Sequence, residues 1–313
     1  MHRRHVIASS LAVAAAAGGA QAQAAPLLLQ TAGPGSAFLP YGTGVAEFLT
    51  AAGIPVEVRE STGSLQNLSR VEDDPNSMGT AFLGSVADAL AGTPAAGGRR
   101  HVRVVALFPM YETSFMVAAL RASGLTSFAQ LAGKRVGVGP ARGPAEIFFR
   151  AAAEAAGVVP AEIVGGDPAA LAADVIAGRL DALWQGAIVP IPSLVAVTTG
   201  ADAVVFGLLP ETVAAVTGRL PYLSPSTVPA GTYRGQDAPI ATFAAWNFVV
   251  ANRDLPDATA AAITRAVLGA SDPAGQMHAM AAATRAENAV NNRILPFHPG
   301  AALVYAERGV ALP

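Results

Sequence analysis

The sequence predicts an α/β fold arranged as two lobes. Strand-like and helix-like segments alternate along the chain, and the alternation runs through two successive cycles. Two long apolar stretches, at 114–120 and 242–251, stand at the borders of those cycles, as strands crossing between lobes would. The 313 residues, 52% hydrophobic and 13% charged, suffice for one large domain or two of ordinary size, and exclude a disordered chain. Cysteine is absent, which excludes a disulfide scaffold and any cysteine-ligated metal. Twenty lysines and arginines face 22 acidic residues, so no nucleic-acid partner is expected. Lys134 is the single lysine, a bias that with the many alanines and glycines reads as a GC-rich bacterial genome.

Residues 1–24 read as an export signal. His2-Arg3-Arg4-His5 is a positive start, 6–17 is apolar but too short to span a bilayer comfortably, and Ala20-Gln21-Ala22 and Ala22-Gln23-Ala24 both fit the small-x-small cleavage rule. Cleavage is expected after Ala24, with an uncleaved anchor as the alternative, and Arg3-Arg4 leaves a twin-arginine route open. Removing Arg3 and Arg4 leaves 18 basic and 22 acidic residues, a net charge of −4. A periplasmic or secreted location is expected.

In the mature chain, 27–31 reads as a buried strand, 33–36 as a turn, 38–52 as a helix ended by Gly53, and 54–59 as a second strand. Ser61-Thr62-Gly63-Ser64 interrupts it before a helix at 65–71, a strand at 78–82 and a helix at 86–91. A Gly/Ala/Pro loop at 93–100 precedes two expected strands, 102–107 and 114–120. The second cycle opens with a strand at 134–138, a glycine-rich turn at 139–143, and a helix at 144–156 with proline at its first position. A weak strand at 163–165, a helix at 168–177 and a strand at 180–185 follow. Helices at 190–198 and 210–217 flank a strand at 204–206; the apolar strand 242–251 precedes helices at 257–268, 273–287 and 301–307. Neither repeats nor a low-complexity linker interrupt this order. The expected division is 25–116 with 245–313 as one lobe and 117–244 as the other, hinged rather than loosely tethered.

One feature recurs: a strand, a small polar loop, then a helix start, at Gly35-Ser36, Thr62-Gly63-Ser64 and Ala141-Arg142-Gly143. A helix start offers unpaired N–H groups and partial positive charge, and in open α/β sheets such loops share the edge where ligands bind. Ordinary capping explains any one of them; three in two lobes point to a ligand cleft. Arg142 is either a bidentate carboxylate clamp or a solvated surface charge. Tyr111, Trp184 and Trp246 fall on strand ends bordering the cleft, where they either wall off a ligand or pack the core. Gly137-x-Gly139-x-x-x-Gly143 superficially resembles a dinucleotide turn, but Pro140 interrupts it. No Gly-x-Ser-x-Gly elbow and no His/carboxylate cluster is present, so neither a hydrolase nor a metal site is expected. Glu112 and Asp181 lack catalytic partners and read as caps or salt-bridge residues.

Several stretches together resemble the TAXI-type solute receptors of TRAP transporters, over nearly the whole mature chain. They are 31–36 through 40–42, Ser61-Thr62-Gly63-Ser64-Leu65-Gln66-Asn67-Leu68, 133–140 and 178–182. More distinctive are Tyr222-Leu223-Ser224-Pro225 with Val228-Pro229-Ala230-Gly231-Thr232-Tyr233, and Leu295-Pro296-Phe297-His298-Pro299-Gly300-Ala301. The resemblance implies a two-lobed periplasmic binding protein fold, type II-like, each lobe a mixed sheet flanked by helices. It implies a non-enzymatic receptor without cofactor, delivering a small carboxylate of amino-acid or dicarboxylate type to TRAP membrane subunits. Carried over by position, the cleft would use Gly35, Ser36, Thr62, Gly63, Ser64 and Asn67, with Ser85, Arg142, Gly143, Trp184 and Gln185 completing it. Tyr111 is added from its own position at a strand end. The first turn, Pro34-Gly35-Ser36-Ala37, and the third loop, Leu83-Gly84-Ser85, depart from the family pattern at the pocket, so ligand identity does not transfer. A receptor for an ABC importer, or an exported oxidoreductase using Gly137–Gly143, are the alternatives.

Overall fold

A computed structural model describes residues 26–34 and 36–313, so the expected export signal at 1–24 and Gly35 lie outside the described residues. The chain begins β1 (Leu27–Gln30), α1 (Phe38–Ala51), β2 (Val56–Arg59), α2 (Ser64–Asp73), β3 (Ser77–Phe82) and α3 (Leu83–Ala91). The long strand β4 (Val104–Leu120) leads to β5 (Arg135–Gly137), α4 (Pro144–Ala156), β6 (Glu162–Val164), α5 (Pro168–Ile176) and β7 (Ala182–Ala187). Then come α6 (Pro192–Gly200), β8 (Ala203–Phe206), α7 (Pro210–Arg219), β9 (Leu223–Val228) and the long β10 (Ile240–Asn252). The chain closes with α8 (Asp257–Leu268), the short α9 (Pro273–Gln276) and α10 (Pro299–Glu307). Six of these helices, α4 to α7, α9 and α10, place proline at the first position, where its missing N–H has no helical partner to lose.

The expected α/β class, with mixed strand directions, is what forms. The strand order is β2-β1-β3-β10-β4-β7-β5-β6, with β8 on β4 and β9 on β10. β1 runs parallel to β2 and β3, and β5 parallel to β6 and β7. Between these two parallel groups lie β4 and β10, antiparallel to each other and to their outer neighbours. Along β4 the buried side chains change company: Met110 and Tyr111 pack with β1 and α1, whereas Phe115 and Val117 pack with β5 and α4. Along β10 the change falls between Ala245, in the second group, and Trp246, beside Leu68 and Phe248.

Three expectations are corrected. The strands expected at 102–107 and 114–120 are one strand, because Pro109 sits beside a register shift between β4 and β10, where a residue without an N–H costs no regular ladder bond. β9 had no counterpart in the sequence reading; its Ser224-Pro225-Ser226 lacks apolar alternation, and pairing with β10 makes the strand. The alanine-rich stretch 273–287 is not one helix. It breaks after Met277 at His278, where the extended backbone lets the His278 ring accept the Met280 N–H, and continues as two short 3₁₀ turns.

Tertiary contacts override helix propensity in that stretch. The Met277 carbonyl lies so close to Gly44 of α1 that a Cβ there would meet it at 2.2 Å. Thr284 then donates to the Met110 carbonyl of β4 at 3.1 Å and accepts from the buried Tyr41 hydroxyl at 2.8 Å. Burial pushes the Tyr41 phenol well above its ordinary pKa, so it stays a neutral donor. Thr284→Val keeps the shape but strands the Tyr41 hydroxyl without an acceptor. A loss of about 1–3 kcal/mol is expected in urea denaturation, and a value near zero would show that the threonine does not anchor the segment.

Candidate functional site

The site is built from helix starts. Gly63 precedes α2 with φ 124°, a left-handed conformation in which any side chain would be strained. Its N–H donates to Ser61 Oγ at 2.9 Å, and Ser61 Oγ lies 2.6 Å from both the Thr31 carbonyl and Asn67 Oδ1. β3 passes into α3 without an intervening loop, so α3 begins where the strand ends. Ser64 Oγ accepts the Phe82 N–H at 3.1 Å and ties the two helix starts together. The N–H groups of Ser64, Leu65 and Gln66, and of Gly84 and Ser85, find no loop or side-chain acceptor among the described residues, whereas the Leu83 N–H belongs to the β3–β10 ladder. Neither helix carries an acidic residue in its first turn or a side-chain cap. Two positive helix ends thus stand side by side without a resident negative charge.

They open into a cavity of about 1270 Å3 between the two parallel strand groups. The first group contributes Ser36, Phe38, Thr62, Gly63, Ser64 and Ser85 to its wall. The crossing strands add Tyr111, Thr113, Phe115 and Asn247, and the second group adds Gly143, Gln185 and the run 186–190. No Asp, Glu, Lys, Arg or His stands on this wall among the described residues. Nor do any three His, Asp or Glu residues cluster as metal ligands among them.

The α4 start differs. Pro144 has no N–H, and the Arg142 N–H donates to Glu146 Oε2 at 2.7 Å while Arg150 pairs with Oε1 at 2.7 Å. That N–H, and then Arg150, hold the Glu146 carboxyl below its usual range. The helix therefore carries its own anion where a pyrophosphate would sit in a dinucleotide turn. The glycines there answer to packing as well: a Cβ on Gly139 would press on the Gln185 amide, and one on Gly143 on the Pro140 carbonyl.

Of the residues singled out from sequence, Ser36, Thr62, Gly63, Ser64, Ser85, Tyr111, Gly143 and Gln185 meet on the wall. Arg142, Asn67 and Trp184 do not. Arg142 is exposed in a left-handed turn, φ 61°, its main chain committed to Glu146. Asn67 is fully buried behind the α2 loop, donating to the Thr80 carbonyl at 2.8 Å. Trp184 is fully buried too, its ring stacked 5.9 Å from Phe115 and its indole N–H donating to the Ala145 carbonyl at 2.9 Å, which braces α4. Trp246 packs in the core beside Phe248. Asp181 pairs with Arg135 at 3.0 Å, whose hydrogen bonds keep its carboxyl low, and Glu112 accepts from Ser114 and Ser226 away from the wall.

Sequence reasoning missed Phe82, Phe115 and Asn247. Phe115 and Gly186 face each other across β4 and β7, and a Cβ on Gly186 would meet the ring at 2.0 Å. Gly84 likewise leaves room for the Phe82 ring, 2.6 Å from where its Cβ would stand. Only strand pairing reveals these aromatic–glycine contacts. Asn247 Nδ2 donates to the Tyr111 carbonyl at 3.1 Å, which fixes β10 to β4 at the cavity floor.

A model of the NMT1-like family matches residues 29–309. Among solved structures, a TctC solute-binding protein from Polaromonas superposes with a TM-score of 0.54 at 12% identity, covering 90% of this chain and 96% of that one. A periplasmic sulfonate-binding protein SsuA from Methylobacillus flagellatus KT gives 0.51 at 14% identity, covering 81% and 73%. The two-lobed periplasmic binding fold is thereby shown. No curated protein sequence matches the chain.

The contrast between wall and support is measurable. Asn67→Ala leaves the Thr80 carbonyl and the Ser61 hydroxyl short of a partner and is expected to cost about 1–3 kcal/mol of stability. Ser85→Ala, on the open wall, is expected to stay within about 0.5 kcal/mol. Chemical denaturation of both variants checks the ranking, and equal losses would contradict it.

Proposed function

The chain belongs to the NMT1-like family, and from that membership and its cleft we propose an exported solute receptor that captures a small carboxylate between two lobes. The observation that carries the reading is the pair of uncapped helix starts, α2 and α3, opening into a cavity whose wall holds no charged side chain among the described residues. A carboxylate there would exchange water for fixed N–H donors that no protein group has claimed.

In this reading Ser36, Thr62, Gly63, Ser64, Ser85, Tyr111, Gly143 and Gln185 contact the solute, while Asn67 and Trp184 hold the wall in place. Lobe 1 comprises 25–116 with 245–313 and lobe 2 comprises 117–244, closing on the ligand by flexing of β4 and β10. Binding proceeds without chemistry. The Tyr111 hydroxyl, the one titratable side chain on the described wall, is pushed well above its ordinary pKa by burial and stays neutral. The signal at 1–24 supports a periplasmic site of action. The stretches 228–233 and 295–301, which resemble TAXI-type receptors, support delivery to the membrane subunits of a TRAP permease.

A thermal-shift panel of amino acids, dicarboxylates, keto acids and arylcarboxylates, each beside its neutral amide, tests the reading. At least one acid is expected to raise Tm where its amide does not; equal shifts would remove the anion from the account. Gln66→Glu, which keeps the Ser64–Phe82 bond and an oxygen to accept the Thr62 N–H, supplies the internal check. A carboxylate in the first turn of α2 is expected to hold or raise the stability of the ligand-free protein by about 0.3–1 kcal/mol, while weakening acid binding at least about tenfold. Unchanged affinity in that variant would move the anion away from α2.

A further inference from the structure

Resting on the anion-receptor reading, we infer that the solute is a singly charged organic acid with an apolar, aromatic-sized body, and neither a dicarboxylate nor an amino acid. The resemblance to TAXI-type receptors implied those two classes; the wall supports a different one.

Charge is the first constraint. Each helix start presents roughly half a positive charge, so α2 and α3 together offset about one negative charge. A second carboxylate on the same solute would be buried against a wall with no Lys, Arg or His among its described residues. An α-ammonium group would meet no Asp or Glu there. Arg142, the nearest cation by sequence, is not on the wall, and α4 already carries Glu146.

The neutral polar groups fit one anionic head. Gln185 is 5% exposed and on the wall, its Oε1 accepts the Gly186 N–H, and its amide NH2 donates to no described residue. That donor faces the cleft from lobe 2, opposite the helix starts of lobe 1, and suits an acid oxygen better than an ammonium.

The rest of the wall is apolar. Phe82 presents a half-buried ring seated on Gly84, with Ile188, Pro190 and Met280 also on the wall, and Phe115, 1% exposed, backs it from the core. A volume of about 1270 Å3 exceeds what a four-carbon diacid fills, even allowing for closure. Ring surface on the solute would replace water against these side chains and gain in proportion to the area covered.

Calorimetric titration of the mature chain with phenylacetate, phenylacetamide, succinate and glutamate decides the matter. Phenylacetate is expected to bind at least about tenfold tighter than each of the other three. Tighter binding of succinate or glutamate would overturn the inference and leave the anion-receptor reading standing. Phenylacetamide binding as tightly as phenylacetate, or no binding by any of the three acids, would overturn both. Ile188→Arg, which puts a cation on the wall, is expected to raise the succinate-to-phenylacetate affinity ratio at least about tenfold; an unchanged ratio would contradict the charge argument.

Discussion

The hydrogen bond from the Phe82 N–H to the Ser64 hydroxyl holds the site together. It brings the starts of α2 and α3 into register, so that their free N–H groups point into one space rather than two. An isolated helix start is a weak and common feature, usually satisfied by a cap or by water. Two side by side, with no acid in either first turn, form a positive region that only a ligand or solvent can answer. The surroundings maintain that condition. Gly63 supplies the left-handed turn into α2, Ser61 fixes the loop, and the buried Asn67 anchors Ser61 to β3.

The crossing strands set the other half of the problem. β4 and β10 are long enough to belong to both cores, and they exchange packing partners within a few residues of the cavity floor. Aromatic side chains continue across that boundary: Phe82 approaches Phe148 of α4 at 6.2 Å, and Phe115 approaches the same ring at 5.0 Å. Motion of one lobe against the other therefore repacks rings that also line the cleft. Cleft wall and lobe packing share the same side chains, so in the proposed receptor closure and capture would be coupled through them.

Much of the fold was legible because its signals are local. Prolines at helix starts, glycines after helix ends and short apolar runs placed most elements within a few residues. The polar loop 62–64 was legible for the same reason, whereas Ser85 came from the resemblance and lies in the first turn of α3, which follows β3 without a loop. What depends on pairing was not. Ser224-Pro225-Ser226 carries no strand signal of its own, and 273–287 has the composition of a helix that contacts with α1 and β4 forbid. Trp184 sits beside Gln185 in β7, and alternation sends one into the core and the other to the wall. Arg142 looked informative because charge is scarce, yet its neighbour Glu146 already occupies the helix start. The absence of charge from the wall, the feature that most narrows the ligand, needed the whole list of lining residues, which only the folded chain supplies.

The most direct test of the account is a crystal structure of the mature chain with a bound arylcarboxylate. Carboxylate oxygens within about 3.2 Å of main-chain N–H groups at the starts of α2 and α3, with the ring against Phe82 and no side-chain cation in contact, is the predicted result. A carboxylate held by Arg142 or another cationic side chain, or seated outside the cleft, would contradict it.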